Sequence, residues 1–195
     1  MKQSILLSVF GAVLLVAGFC ASAQAEKIEA DLIGFREVPS VSTAASGEFH
    51  ATINPGDQSI DYELRYSGLQ GTVQQSHIHV AQLSVNGSIV IWLCQTATPF
   101  LDPTGHAPQC PPGQATEAVV TGHITAANVI AGSTASQQLK AGDLAAAIAA
   151  IRAGFAYANV HTNLSTGGEI RGQIEDRDSD RDDKRDDDHH DKHHD

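Results

Sequence analysis

The chain has 195 residues, 42% of them hydrophobic and 5% aromatic, with 12 Lys and Arg against 23 Asp and Glu and a formal net charge of −11. That acidic balance argues against nucleic acid and anionic membrane surfaces as partners, because both repel negative charge. The charge falls in two blocks: residues 26–175 hold 13 acids and 6 bases, a balance of −7, and residues 176–195 hold ten Asp against five Lys and Arg.

The first 25 residues read as an export signal rather than as part of the fold. Lys2 gives a short basic start, an apolar run extends from Ile5 to Phe19, and Ala23-Gln24-Ala25 forms an A-x-A cleavage site. The run is too short and too poorly flanked for a membrane span. The mature chain is therefore expected to begin at Glu26, to lack a stable membrane span after cleavage, and to reside in the periplasm or outside the cell. Phe19 stands where a lipid-anchoring cysteine motif needs a small residue, so Cys20 is expected to leave with the signal.

Eight segments then read as strands: 27–36, 47–53, 59–67, 76–81, 88–94, 117–124, 155–162 and 169–175. In 59–67, Ile60, Tyr62, Leu64 and Tyr66 alternate with Asp61, Glu63 and Arg65, the pattern of an antiparallel strand with one buried face. Turn signals separate the runs, among them "NPGD" at 54–57, "NG" at 86–87 and "TGG" at 166–168. The segment 141–154 breaks the period. It is alanine-rich, with Leu144, Ile148 and Ile151 at helical spacing, Asp143 as N-cap and Gly154 as stop. The expected fold is all-β: an antiparallel, Greek-key-like β-sandwich of about eight strands with one short α-helix before the last two. It forms one domain over 26–175.

Export leaves two cysteines, Cys94 and Cys110, in an oxidising compartment, and such a pair is expected to form a disulfide. It would staple the proline-rich segment 94–114, a long loop with no periodicity. Residues 176–195 contain no apolar side chain, so they are expected to form a disordered, solubilising tail. Its four histidines, His189, His190, His193 and His194, lie among carboxylates, which offers a second reading as a labile metal-sequestering segment.

Histidines also stand inside predicted strands. "SHIHV" at 76–80 places His77 and His79 on one face of a strand, and "YANVHT" at 157–162 places Tyr157, Asn159 and His161 on one face of another. A turn at "NLSTGG" makes 155–162 and 169–175 a hairpin, which sets Glu169 and Arg171 beside His161. Two readings stay open. His77, His79 and His161 form a three-imidazole site for copper or zinc, with Glu169 and Arg171 supporting it and His123 or His106 as candidate fourth ligands. Alternatively, the same side chains form a hydrogen-bonded polar network that specifies the fold without a ligand. No nucleophile elbow, Ser/His/Asp order, phosphate loop or HExxH motif is present, so the residues favour a non-enzymatic protein.

Three stretches resemble the CHRD domain, the module named for chordin. "LIGFREVPSVSTAASGEFHATI" is similar to the family's opening L-x-G-x-x-E-V-P-P-V, and "LRYSGLQGTVQQSHIHV" to its G-L…A-H-I-H. "AGFAYANVHTNLSTGGEIRGQI" is similar to its A-G-x-x-Y-V-N-V-H-T…P-x-G-E-I-R-G-Q-I. Ser40, Ala158 and the "LSTGGE" turn depart from those patterns. The resemblance covers 28–174 and implies a β-sandwich in an exported protein of binding or structural type, with an unidentified protein or envelope component as partner. A second, weaker resemblance is to Cu/Zn superoxide dismutase, in "GLQGTVQQSHIHV" and the stapled loop. It implies redox chemistry only by analogy of fold.

Overall fold

The structure, a computed structural model, describes residues 24–114 and 116–177. Cys20, nearly all of the expected signal, and the tail histidines His189, His190, His193 and His194 lie outside the described residues. The nine strands are β1 (Glu26–Ile33), β2 (Ser46–Ile53), β3 (Ile60–Ser67), β4 (Val73–Val80), β5 (Ser88–Gln95), β6 (Ala118–Ile124), β7 (Ala156–Thr162), β8 (Ile170–Gln173) and the short β9 (Glu175–Asp176). One helix, α1 (Leu144–Arg152), precedes β7.

The strands pair in the order β5-β4-β7-β8-β1-β2-β3-β6, with β9 added to β1, and every pair of neighbours is antiparallel. The two ends of this sheet return towards each other. Ile91 of β5 bridges to Val129, just past β6, and the Ile130 N–H donates to the Val90 carbonyl at 2.9 Å. The result is a nearly closed, barrel-like sandwich, all-β with a single short helix, as expected. The sheet runs to Asp176, which pairs with Ile28, and the Arg177 N–H donates to the Lys27 carbonyl at 3.0 Å, so the described structure enters the segment expected to be tail by two residues.

Two kinds of strand make up the sheet. β1, β2, β3 and β6 alternate, with Ile28, Ala30 and Leu32, or Ile60, Tyr62, Leu64 and Tyr66, facing the core and charged residues facing water. By contrast β7 is buried at all seven positions, and β4 at each position from Ser76 to His79. One face of these strands packs into the core through Ile78, Ala156, Ala158 and Val160. The opposite face is closed over by loops, and it is there that the histidines lie.

The helix forms where the apolar spacing places it. The Asp143 carboxylate accepts from the Ala146 N–H at 3.0 Å, which caps the first turn, and Gly154 supplies the left-handed residue (φ 74°) just past the last. Leu144, Ala147, Ile148 and Ile151 are buried in the same core. Cys94, at the end of β5, is bonded to Cys110 across 16 residues. The loop between them is held from inside by Asp102, whose carboxylate accepts from the Thr104 N–H and hydroxyl and from the N–H groups of His106 and Ala107.

Closing a loop of that length restricts the unfolded chain by roughly 3 kcal/mol. Replacing Cys94 and Cys110 together by Ala is expected to lower stability by about that amount, read as a fall in the urea midpoint with unchanged slope. Intact mass should rise by two hydrogens on reduction. An unchanged midpoint, or two free thiols in the exported protein, would overturn this expectation.

Candidate metal centre

The site is built on the outer face of β4, β7 and β5. In the β4–β7 pair, Gln75 stands opposite His161, His77 opposite Asn159, and His79 opposite Tyr157. The alternation of strand side chains therefore puts all three imidazoles on one face. Two register shifts in the β4–β5 pair adjust the other side, so that His77 faces Trp92 and His79 faces Ile89. Such bulges re-aim side chains, and here one brings the indole of Trp92 edge-on to His77, with ring centres 4.3 Å apart.

The imidazoles are 0%, 6% and 6% exposed at His77, His79 and His161. One ligating nitrogen from each lies within 4.8 Å of the other two. The hydrogen bonds fix two tautomers. His79 Nδ1–H donates to the Gly87 carbonyl at 3.0 Å, and His161 Nδ1–H donates to the Thr166 carbonyl at 2.9 Å. Carbonyls only accept, so Nε2 of both residues bears a lone pair. His77 Nδ1 lies 3.3 Å from His161 Nε2, while Nε2 of His77 and Nε2 of His79 are buried with no hydrogen-bond partner. Buried polar atoms are almost always partnered, so two orphaned imidazole nitrogens in one cluster point to a ligand that accepts lone pairs.

Burial pushes all three histidines down: His77 well below its usual range, His161 below it, and His79 to about 4. Repulsion from the neighbouring imidazoles adds to the effect at His77. At His79 the Gly87 carbonyl opposes the desolvation, while His161 and the Arg171 cation reinforce it. The imidazoles are thus neutral near pH 7, the form in which histidine ligates metal.

Around them sits a supporting layer. Tyr157 stacks on His79 with ring centres 4.6 Å apart and planes at 3°, and the guanidinium of Arg171, from the strand on the other side, lies 3.4 Å over the Tyr157 ring. Arg171, 2% exposed, also donates to the Val85 carbonyl at 3.0 Å. Its buried counter-charge is Glu37, 4% exposed, which burial pushes up to about 7 although Arg171, the Val38 N–H and Asn159 favour its ionised form. The Asn159 side chain is buried in the same layer. Gly168 (φ 126°) presses against this carboxyl. A Cβ there would stand 2.2 Å from Glu37 Oε1, so this turn needs glycine both for its conformation and for its contact.

Sequence reasoning placed His77, His79 and His161 together, and the structure brings them together. It placed Arg171 beside them, and the guanidinium is there. Three expectations are corrected. Glu169 does not orient an imidazole. It precedes the first paired residue of β8, so alternation does not direct it, and its carboxylate accepts from the Thr43 and Thr162 hydroxyls and the Gln70 and Gly71 N–H groups. His123 is not a fourth ligand: it lies on β6, at the far end of the strand order, and pairs with Asp61 at 2.6 Å on the surface. His106 is also not a fourth ligand: it is exposed in the stapled loop, where only its backbone is engaged. Glu37 and Trp92 were missed. Glu37 sits in the "EVP" of the opening motif, and Trp92 is the one tryptophan of the chain, inside an otherwise aliphatic strand.

These burial effects set an acid sensitivity for metal-free protein. Unfolded histidine takes up a proton below about 6.5 whereas the folded cluster resists it, so stability is complete above that pH and falls as pH drops towards 4. His79 alone accounts for about 3 kcal/mol once pH is below 4. Glu37 works in the opposite direction by about the same amount, because its folded value near 7 exceeds its usual 4.5 and its contribution grows as pH falls between them. The two nearly cancel, leaving His77 and His161 to set the net loss. With chelator present, the urea midpoint is expected to fall between pH 7 and 4.5, and Glu37→Gln should steepen the decline. A flat profile would show that the imidazoles are not held neutral.

The CHRD domain profile matches residues 28–174. No curated protein and no solved structure matches the chain, so the likeness to Cu/Zn superoxide dismutase rests on its two sequence stretches alone. CHRD domains are typically extracellular domains of binding or structural type, and the Cys94–Cys110 disulfide agrees with such a location. Among the described residues no helix is long and apolar enough to cross a membrane. The match spans most of the chain and takes in both histidine strands; the protein belongs to the CHRD domain family.

Proposed function

We propose that the protein is an exported, non-enzymatic CHRD module that binds one transition-metal ion, copper or zinc, through His77, His79 and His161. The observation that supports this reading is the pairing of fixed tautomers with orphaned nitrogens. Backbone carbonyls hold Nδ1–H of His79 and His161, their Nε2 lone pairs remain, and Nε2 atoms of His77 and His79 have no partner. A polar network that served only the fold would satisfy those atoms. Residues 1–25 act as the export signal in this reading, and delivery is to the periplasm or the cell exterior. The tail histidines His189, His190, His193 and His194 offer a second, labile metal site that raises the local concentration of the ion.

The test separates the two sites within the full chain. With the four tail histidines replaced by Asn, the protein is expected to retain one equivalent of metal after gel filtration, and His161→Ala is expected to abolish it. Trp92, ring-to-ring with His77, reports binding as a change in fluorescence. No retained metal, with the fold intact by circular dichroism, would sink the metal reading. His79→Ala would then register only as a stability loss of roughly 1–3 kcal/mol from partners left unsatisfied.

A further inference from the structure

The cluster's donors all have the same charge, zero, and that narrows which ion suits it. Resting on the metal-site reading above, we propose that the ion it takes is monovalent copper, Cu(I), in preference to Zn(II) or Cu(II). Among the described residues, no carboxylate or thiolate joins the three imidazoles. Cys94 is in a disulfide, Glu169 is saturated by two hydroxyls and two N–H groups, and Glu37 is not among the groups that converge with the imidazoles.

Charge burial then discriminates by valence. The cost of moving an ion from water into a poorly polarisable interior grows with the square of its charge, so a dication faces about four times the penalty of a monocation. Arg171 adds to the difference. Its guanidinium lies 3.4 Å over the Tyr157 ring that stacks on His79, and a cation there repels a divalent ion twice as strongly as a monovalent one.

Coordination number points the same way. A zinc ion with three protein ligands keeps a fourth position for water or substrate, and Cu(II) favours four or more donors in a tetragonal set. Cu(I), with a filled d shell, is satisfied by three. Around the imidazoles the neighbouring groups are aromatic: Trp92 edge-on to His77 and Tyr157 stacked on His79. One ligating nitrogen from each imidazole lies within 4.8 Å of the other two, so side-chain shifts of about 1 Å close them to the edge of about 3.5 Å in a trigonal set with metal–nitrogen bonds near 2.0 Å.

The experiment uses the full chain with the four tail histidines replaced by Asn. Cu(I) is supplied anaerobically as its acetonitrile complex and competed against bicinchoninate, while Zn(II) and Cu(II) are competed against chromophoric chelators of known affinity. The expected result is one Cu(I) bound on the order of a thousandfold more tightly than Zn(II), with X-ray absorption showing three nitrogen neighbours at about 2.0 Å. Arg171→Gln is expected to narrow the Cu(I)/Zn(II) ratio, whereas a merely structural role would weaken both ions alike. Zn(II) or Cu(II) binding at the cluster as tightly as Cu(I) would overturn the valence inference and leave the metal site standing. Failure of all three ions to bind would overturn both. The competition and the absorption spectrum need no change in the cluster, so they remain decisive if the Arg171 variant fails to fold.

Discussion

Burial of β4 and β7 on both faces is the constraint on which the rest of this molecule depends. A sheet with one wet face disposes of polar side chains by pointing them outwards, as β1, β2, β3 and β6 do. Where loops close over the second face, alternation delivers polar groups to a dry place instead. His77, His79, Asn159, His161 and Arg171 are the result. Each buried polar atom left without a partner costs about 1–3 kcal/mol. A cluster with several such atoms is a standing destabilisation that a bound ligand would relieve.

The surrounding structure can be understood as the means of holding that face together. Arg171 is tolerable in the interior because it stacks on Tyr157, donates to a backbone carbonyl and has Glu37 as counter-charge. Glu37 in turn fits only because Gly168 has no side chain. The register shifts in β5 let its aliphatic residues continue into the core while Trp92 turns to the histidine side. The ion pairs on the one-sided strands, such as Arg65 with Glu63 and Glu117, are exposed and worth little by comparison.

Much of this was legible in the sequence, and the boundary is physical. Period-two alternation is a local property, so it located the strands and put His77, His79, Tyr157, Asn159 and His161 on matching faces. Capping chemistry is also local, and Asp143 and Gly154 bounded the helix. Glu169 was misplaced because it stands one residue outside the paired strand, where the period no longer applies and the Thr43 and Thr162 hydroxyls and the Gln70 and Gly71 N–H groups capture it. His123 and His106 were candidates by residue type alone, and both are exposed, His123 on the solvent face of β6 where it pairs with Asp61. Trp92 was missed because a bulge cannot be seen from one strand. Glu37 was missed because the closure of the second face is a tertiary event, and only that closure makes a carboxyl near a loop a buried one.

The carbonyls of Gly87 and Thr166 that fix the His79 and His161 tautomers have a consequence for how such a site can drift. They belong to the main chain, so the support they give is silent in amino-acid identity. Thr166 can change to almost any residue and still present the same oxygen, whereas inserting or deleting one residue in its turn would move the oxygen and release the ring. Gly87 is less free, because a Cβ there would meet the Val80 carbonyl at 2.2 Å. A change in the length of the Thr166 turn would therefore undo this arrangement even in a chain where all three histidines persist.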